Sequence, residues 1–151
     1  MARQHPLENR VPPPVVVAAA AAVQRRLPRR DPSPLRRAAA AAIVLGSGAL
    51  AVQAELLFRS SGTTFNPLAP EQASSLVTGG SFAVTRNPMY VAMAGVLLAH
   101  GVARGHLSQL FPLAAWTAYI DRFQIVPEER ALTRVFGAEY DAYRRQVRRW
   151  L

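Results

Sequence analysis

Cysteine is absent from the 151 residues. That excludes disulfides, thiolate metal sites and cysteine nucleophiles. Lysine is absent too, so all 18 basic residues are arginine. Acidic residues are few, nine against those 18, which leaves a formal charge of +9. Such a surplus suits nucleic acid, acidic lipid headgroups or an anionic substrate. Aromatic residues make up only 8% of the chain, and they do not interleave with the arginines along one stripe. The arginines flank apolar blocks instead, which argues against a nucleic-acid partner. There is no signal-peptide pattern, because the first apolar run ends in arginines and not in a cleavage site. No internal repeat is visible, and the length suits a single domain, 1–151.

What is present is apolar and arrives in blocks. Half of the residues are hydrophobic, yet the mean hydropathy is only +0.07, because the charges lie between the blocks. Val11 to Val23 is opened by Pro12, Pro13 and Pro14, residues a helix tolerates at its start, and it falls short of the roughly 20 residues a bilayer requires. Ala38 to Phe58 is long enough, with Gln53 and Glu55 near its far end. Met89 to Ala103 and Leu107 to Ile120 follow, the latter reaching Val126 if Asp121, Arg122 and Gln124 are tolerated at a helix end. The stretch HGVARGH (100–106) is expected to turn one helix into the next, with His100 and His106 solvated there. Residues 59–88 are too polar to span and form a long loop of the kind that is usually functional or disordered. The expected fold is all-α: an integral membrane protein with about four membrane helices and an amphipathic, cytoplasmic C-terminal helix.

That last helix covers 127–151. Pro127 suits its first turn, and Glu128 and Glu129 favour the positive end of its dipole. Leu132, Phe136, Tyr140, Tyr143 and Val147 are spaced by three or four and share one face, which also fits a helix lying on an anionic membrane surface. One step back along the stripe stands Glu129. First-turn glutamates often do no more than cap, but a carboxylate on a buried stripe needs a cation or hydrogen-bond donors.

The hexapeptide TRNPMY (85–90) stands where the loop meets the third block. Asn87 and Pro88 fit an N-cap and a first helical residue. Capping does not explain Arg86 or Tyr90. A guanidinium at the mouth of a membrane helix can snorkel to water or bind an anion bidentately.

Taken together, GTTFNP (62–67), LVTGGSFAVTRNPMY (76–90) and PEERALTRVFGAEYDAY (127–143) resemble the isoprenylcysteine carboxyl methyltransferase and phospholipid methyltransferase superfamily of integral membrane enzymes. The resemblance runs from about Arg59 to Leu151, with N-terminal membrane helices before it in 1–58. It implies a cofactor-binding core in 59–151 that takes S-adenosylmethionine without a Rossmann domain. It also implies Arg86 and Glu129 as catalytic candidates, and as cofactor-binding residues Gly79, Gly80, Phe82, Asn87, Pro88, Tyr90, Glu128, Glu129, Tyr140, Tyr143 and Arg144. Some members carry histidine at the position of Asn87, so no general base is assigned there, and Gly79-Gly80 stands where the family often has Gly-Pro. No metal is implied. The acceptor would be lipophilic or small, a carboxylate, amine or thiol, reached from the lipid bilayer. A small membrane protein that retains the fold without turnover is the rival.

Orientation sets two expectations against each other. A cytoplasmic cofactor site places Arg25, Arg26, Arg29, Arg30, Arg36 and Arg37 on the outer side, whereas short arginine-rich loops favour the cytoplasm.

Overall fold

The computed structural model describes residues 8–31, 33–62 and 70–151, so of GTTFNP only Gly62 lies among the described residues. The described chain is helical without a β-strand, and a single parallel bridge pairs Thr85 with Arg148. The helices are α1 (Pro13–Arg26), α2 (Pro34–Ser60), α3 (Pro88–Arg104), α4 (Leu110–Ile120), α5 (Val126–Phe136) and α6 (Ala138–Gln146). Three of them begin at a proline, where the missing N–H has no intrahelical partner to lose.

Among the described residues, one helix is long and apolar enough to cross a membrane, α2, with 27 residues and little of its most apolar window buried. Helices α1 and α3 have 14 and 17 residues, about 21 and 25 Å at 1.5 Å per residue. Helix α2 packs along α3 through small side chains. A Cβ on Gly95 would lie 2.1 Å from Ser47 Oγ, and Ala40, Ser47 and Ala54 are the buried residues of α2. Small residues let two backbones approach closely where lipid offers no hydrophobic drive. The outward side of α2 carries Leu45, Val52 and Leu56, each more than half exposed.

The fourth block does not stop before Pro127. Helical backbone angles persist from α4 through a π-helical segment, Asp121–Ile125, into α5. Proline at 127 has no N–H for the carbonyl four residues earlier. That carbonyl, on Phe123, accepts from the backbone N–H of Asn9 at 3.1 Å. A partner from the N-terminal segment thus lets the proline sit inside a continuous helix.

The single C-terminal helix expected over 127–151 is in fact two helices and a tail. Gly137 adopts φ 51°, ψ −121°, a conformation essentially reserved for glycine, and divides α5 from α6. Val147 is extended, and the tail from there lies against Thr85–Asn87. The expected turn is also shorter. Helix α3 runs through His100 and closes on left-handed Gly105 at φ 62°. His100, in α3, is bonded at Nδ1 to Gln24 Oε1 at 2.7 Å, and His106 Nδ1 caps the next turn by accepting from Ser108 N–H. Neither is a free loop side chain.

The chain runs back and forth between two ends. At one end the 24–37 segment meets the α3–α4 turn: Arg30 N–H donates to Arg104 O, Arg104 to Arg25 O and Leu27 O, and Gln109 to Pro28 O. At the other end gather the start of α3, the π segment, α5, α6 and the tail.

Candidate functional site

The pocket at that second end lies between Phe58 of α2, the loop residues Leu76, Val77 and Phe82, the first turn of α3, and residues of α5 and α6. It encloses about 790 Å³ of empty space, part of it open to solvent. Its apolar side is the core cluster of Ala54, Val77, Phe82, Tyr140 and Tyr143, with Leu132, Phe136 and Val147 packed against it. The stripe predicted along one helix therefore converges after all, from two helices and the tail. Tyr143 OH donates to Phe82 O at 2.6 Å, fastening α6 to the loop, and Phe58 meets Phe82 edge to face at 5.0 Å.

The polar side is built around two neighbouring glutamates in opposite surroundings. Glu129 is gripped by arginines: Arg86 Nη2 at 2.6 Å on Oε1, Arg149 Nη2 at 2.7 Å on Oε2 and Arg149 Nε at 3.0 Å on Oε1. Burial would raise its pKa, but these two guanidiniums outweigh burial and hold it below the usual carboxylate range. Glu128 is 8% exposed and meets no cation among the described residues. Its Oε1 accepts from Tyr90 OH at 2.5 Å and Gln124 Nε2 at 2.7 Å. Burial pushes it up to about 7 from an ordinary 4.5; the charge of Glu129 adds to the rise, and the two hydrogen bonds offset part of it. Tyr140 is likewise pushed up to about 12, first by burial and then by the charge of Glu129.

Arg86 is less a free anion-binder than the sequence suggests. Its Nη1 donates to Arg144 O at 3.0 Å and Val147 O at 2.8 Å, closing the C-terminus of α6, and its buried Nε has no partner. Asn87 does not cap α3 with its side chain. Its Nδ2 donates to Arg149 O at 2.9 Å, while Thr85 Oγ1 accepts from Asn87 N–H and donates to the same Arg149 O. The segment TRNP is thus the docking strip for the C-terminal tail, and Pro88 takes the first helical position as expected.

Nine of the expected residues line this pocket: Phe82, Arg86, Asn87, Pro88, Tyr90, Glu128, Glu129, Tyr140 and Tyr143. Gly79, Gly80 and Arg144 do not. Gly80 takes φ +58° and packs so closely on α2 that a Cβ would sit 2.8 Å from Leu57 Cδ1. The side chain of Arg144 pairs with Asp141 at 3.0 Å, and only its carbonyl reaches Arg86. Sequence reasoning passed over Arg149, Asp121, Gln124 and Trp150. Arg149 Nη1 reaches Asp121 Oδ2 at 3.1 Å, and Trp150 Nε1 donates to Asp121 Oδ1 at 3.0 Å. The one hint was Asp121 itself, a carboxylate at the end of an apolar block.

Comparison with known proteins identifies the family of the chain. A stretch of 63 residues, 42% of the chain, is 36% identical to the whole of an uncharacterized protein of Haemophilus influenzae. No solved structure matches the chain. The model of the family described as phospholipid methyltransferase matches residues 35–139, from α2 through the two glutamates and into the start of α6. The chain belongs to the phospholipid methyltransferase family, within the membrane methyltransferase superfamily that also holds the isoprenylcysteine carboxyl methyltransferases.

Proposed function

We propose that the chain transfers a methyl group from S-adenosylmethionine to a lipophilic or small acceptor, a carboxylate, amine or thiol, that reaches the pocket from the bilayer. In this reading α1, α2, α3 and α4 are the membrane helices, and α5, α6 and the pocket lie at the cytoplasmic face. The observation that supports it is the make-up of the pocket: a carboxylate with a free oxygen, a buried guanidinium with a free N–H, and several aromatic rings share one cavity.

Those groups fit the methyl donor, which offers an ammonium, a carboxylate, a ribose diol, an adenine and a sulfonium. Both protein hydrogen bonds to Glu128 fall on Oε1, which leaves Oε2 for a cationic or hydroxyl donor. Arg86 Nε is the one donor of that guanidinium without an acceptor. The rings of Phe58, Phe82, Tyr140 and Tyr143 offer faces for an adenine or for a cation. When bound, the sulfonium supplies an electrophilic methyl group for in-line displacement. The protein's part is positioning, which can supply much of the rate. Tyr90 and Gln124 orient Glu128. Arg149 and Asn87 hold the tail, and Glu129 keeps Arg86 at the wall of the pocket. Arg86 and Glu129 therefore act through each other, and Glu128 is the acid left for the ligand.

Calorimetric titration of detergent-purified protein with S-adenosylmethionine tests this. Glu128→Gln is expected to weaken binding about ten-fold or more, as for loss of a charged hydrogen-bond partner, and Arg86→Ala to weaken it as well. No binding by folded wild-type protein overturns the reading. Binding without transfer to any acceptor leaves a non-enzymatic member of the family.

A further inference from the structure

We propose that the end of the bundle opposite the methyl-transfer pocket binds the headgroup of an anionic phospholipid, with Arg30 and Arg36 on its phosphate. A second pocket lies there between these two arginines and the turn residues Gly105, His106 and Gln109, enclosing about 900 Å³ of empty space open to solvent. Arg36 is held in place without being neutralised. Its Nη2 donates to Asp31 O, its Nη1 to Gly105 O and its Nε to Ser33 Oγ, all of them uncharged acceptors. Arg30 is exposed. Arg25, Arg26, Arg29 and Arg37 lie on the same 24–37 segment as the pair, and Arg104 directly precedes Gly105. Asp31 is the only acidic residue in 24–37 or 100–110, and among the described residues none of these arginines is paired with a carboxylate.

Two further features select a lipid over a free anion. Gln109, 1% exposed, donates Nε2 to Pro28 O and leaves Oε1 without a partner. That acceptor calls for a donor beside the phosphate, such as a headgroup hydroxyl. Leu107 lines this pocket and is 82% exposed, and Leu35 and Phe111, next in sequence to the lining residues Arg36 and Leu110, are 79 and 75% exposed. Inorganic phosphate would not cover such side chains and acyl chains would. Guanidiniums bind phosphate oxygens bidentately, and a basic pocket between membrane helices is a recognised setting for lipid headgroups. The site is independent of the methyl donor and of the acceptor.

Native mass spectrometry of the full chain in detergent, titrated with phosphatidylglycerol or phosphatidylcholine, reads the preference directly. Wild type is expected to favour phosphatidylglycerol. At about five-fold per arginine, Arg30→Gln lowers the preference about five-fold and Arg30→Gln with Arg36→Gln roughly twenty-fold. Arg134→Gln with Arg145→Gln, at the opposite end, leaves it unchanged. Among the described residues the side chain of Arg30 makes no hydrogen bond or ion pair, so that variant decides the matter if the double variant does not fold. An Arg30→Gln preference equal to wild type overturns the proposal. So does an equal loss in the Arg134/Arg145 control, or displacement of the lipid by inorganic phosphate at matching concentration, which would mark a soluble-anion site.

Discussion

The two ends of this bundle are both rich in arginine, and they handle it in opposite ways. At the pocket end, Arg86, Arg122, Arg130, Arg144 and Arg149 are each paired with a carboxylate, Arg149 bridges Glu129 and Asp121, and among the described residues the exposed Arg134, Arg145 and Arg148 are not paired. At the turn end no arginine is paired with one among the described residues, and the contacts there are hydrogen bonds to carbonyls and amides. Partly buried charge must be compensated inside the protein, whereas exposed charge can be left for solvent or lipid. The first end is therefore a structural network around a site; the second is a surface. The opposed orientation signals in the sequence follow from this arrangement, because the fold carries arginine to both ends.

If the pocket network is structural, removing its central acid has the largest effect. Glu129→Ala leaves Arg86, whose side chain is 11% exposed, without its counter-charge, at an expected cost of about 3–5 kcal/mol. Denaturant unfolding in detergent measures it. A loss under about 1 kcal/mol would class the network with ordinary surface pairs. The neighbouring Glu128 acts in the other sense. Its folded pKa is raised, so the native state binds a proton that the unfolded state has already released between about 4.5 and about 7. Stability from this group is therefore greatest below that window and falls as pH rises through it. Relative to wild type, Glu128→Gln should gain on the order of 3 kcal/mol across those pH values. A flat difference would mean that Glu128 stays ionised throughout.

How far this site was legible depended on whether each contact is local. The apolar spacing of Leu132, Phe136, Tyr140, Tyr143 and Val147 carried through, because those residues meet in one cluster although Gly137 interrupts the helix. The interruption itself was not legible, since a glycine in an amphipathic pattern is tolerated as readily as it breaks it. The continuous α4–α5 run was hidden for a different reason. Pro127 marks a helix start by every local rule, and only the Asn9 N–H, from far away in sequence, supplies the Phe123 carbonyl with another donor. Arg149 was missed because a helix continued to the C-terminus puts it among surface charges. The extended backbone at Val147 is what turns it toward Glu129 and Asp121.

At the turn end the expected effects are smaller, and they come from uncharged groups. Gln24 is fully buried and donates to Leu97 O at 3.1 Å and Gln109 O at 2.9 Å, while its Oε1 meets His100. Gln24→Leu removes those bonds and leaves His100 Nδ1 unpartnered, at about 1–2 kcal/mol. The loss should not change with salt, unlike that of an exposed ion pair. A strongly salt-dependent loss in denaturant unfolding would show that charge, not neutral hydrogen bonding, holds this end.

The smallest effect is expected where the arginines are most numerous. Arg26 and Arg37 are exposed and make no ion pair among the described residues. Arg26→Gln and Arg37→Gln should change stability by no more than about 0.5 kcal/mol each in detergent. The sign should be toward stabilisation at low salt, because each substitution relieves repulsion among like charges, and the effect should fade as salt screens it. A loss above about 1 kcal/mol at either position would mean that the turn end is a packed network like the pocket end. The two arginine sets would then share one role, and the contrast between a site and a surface would not hold.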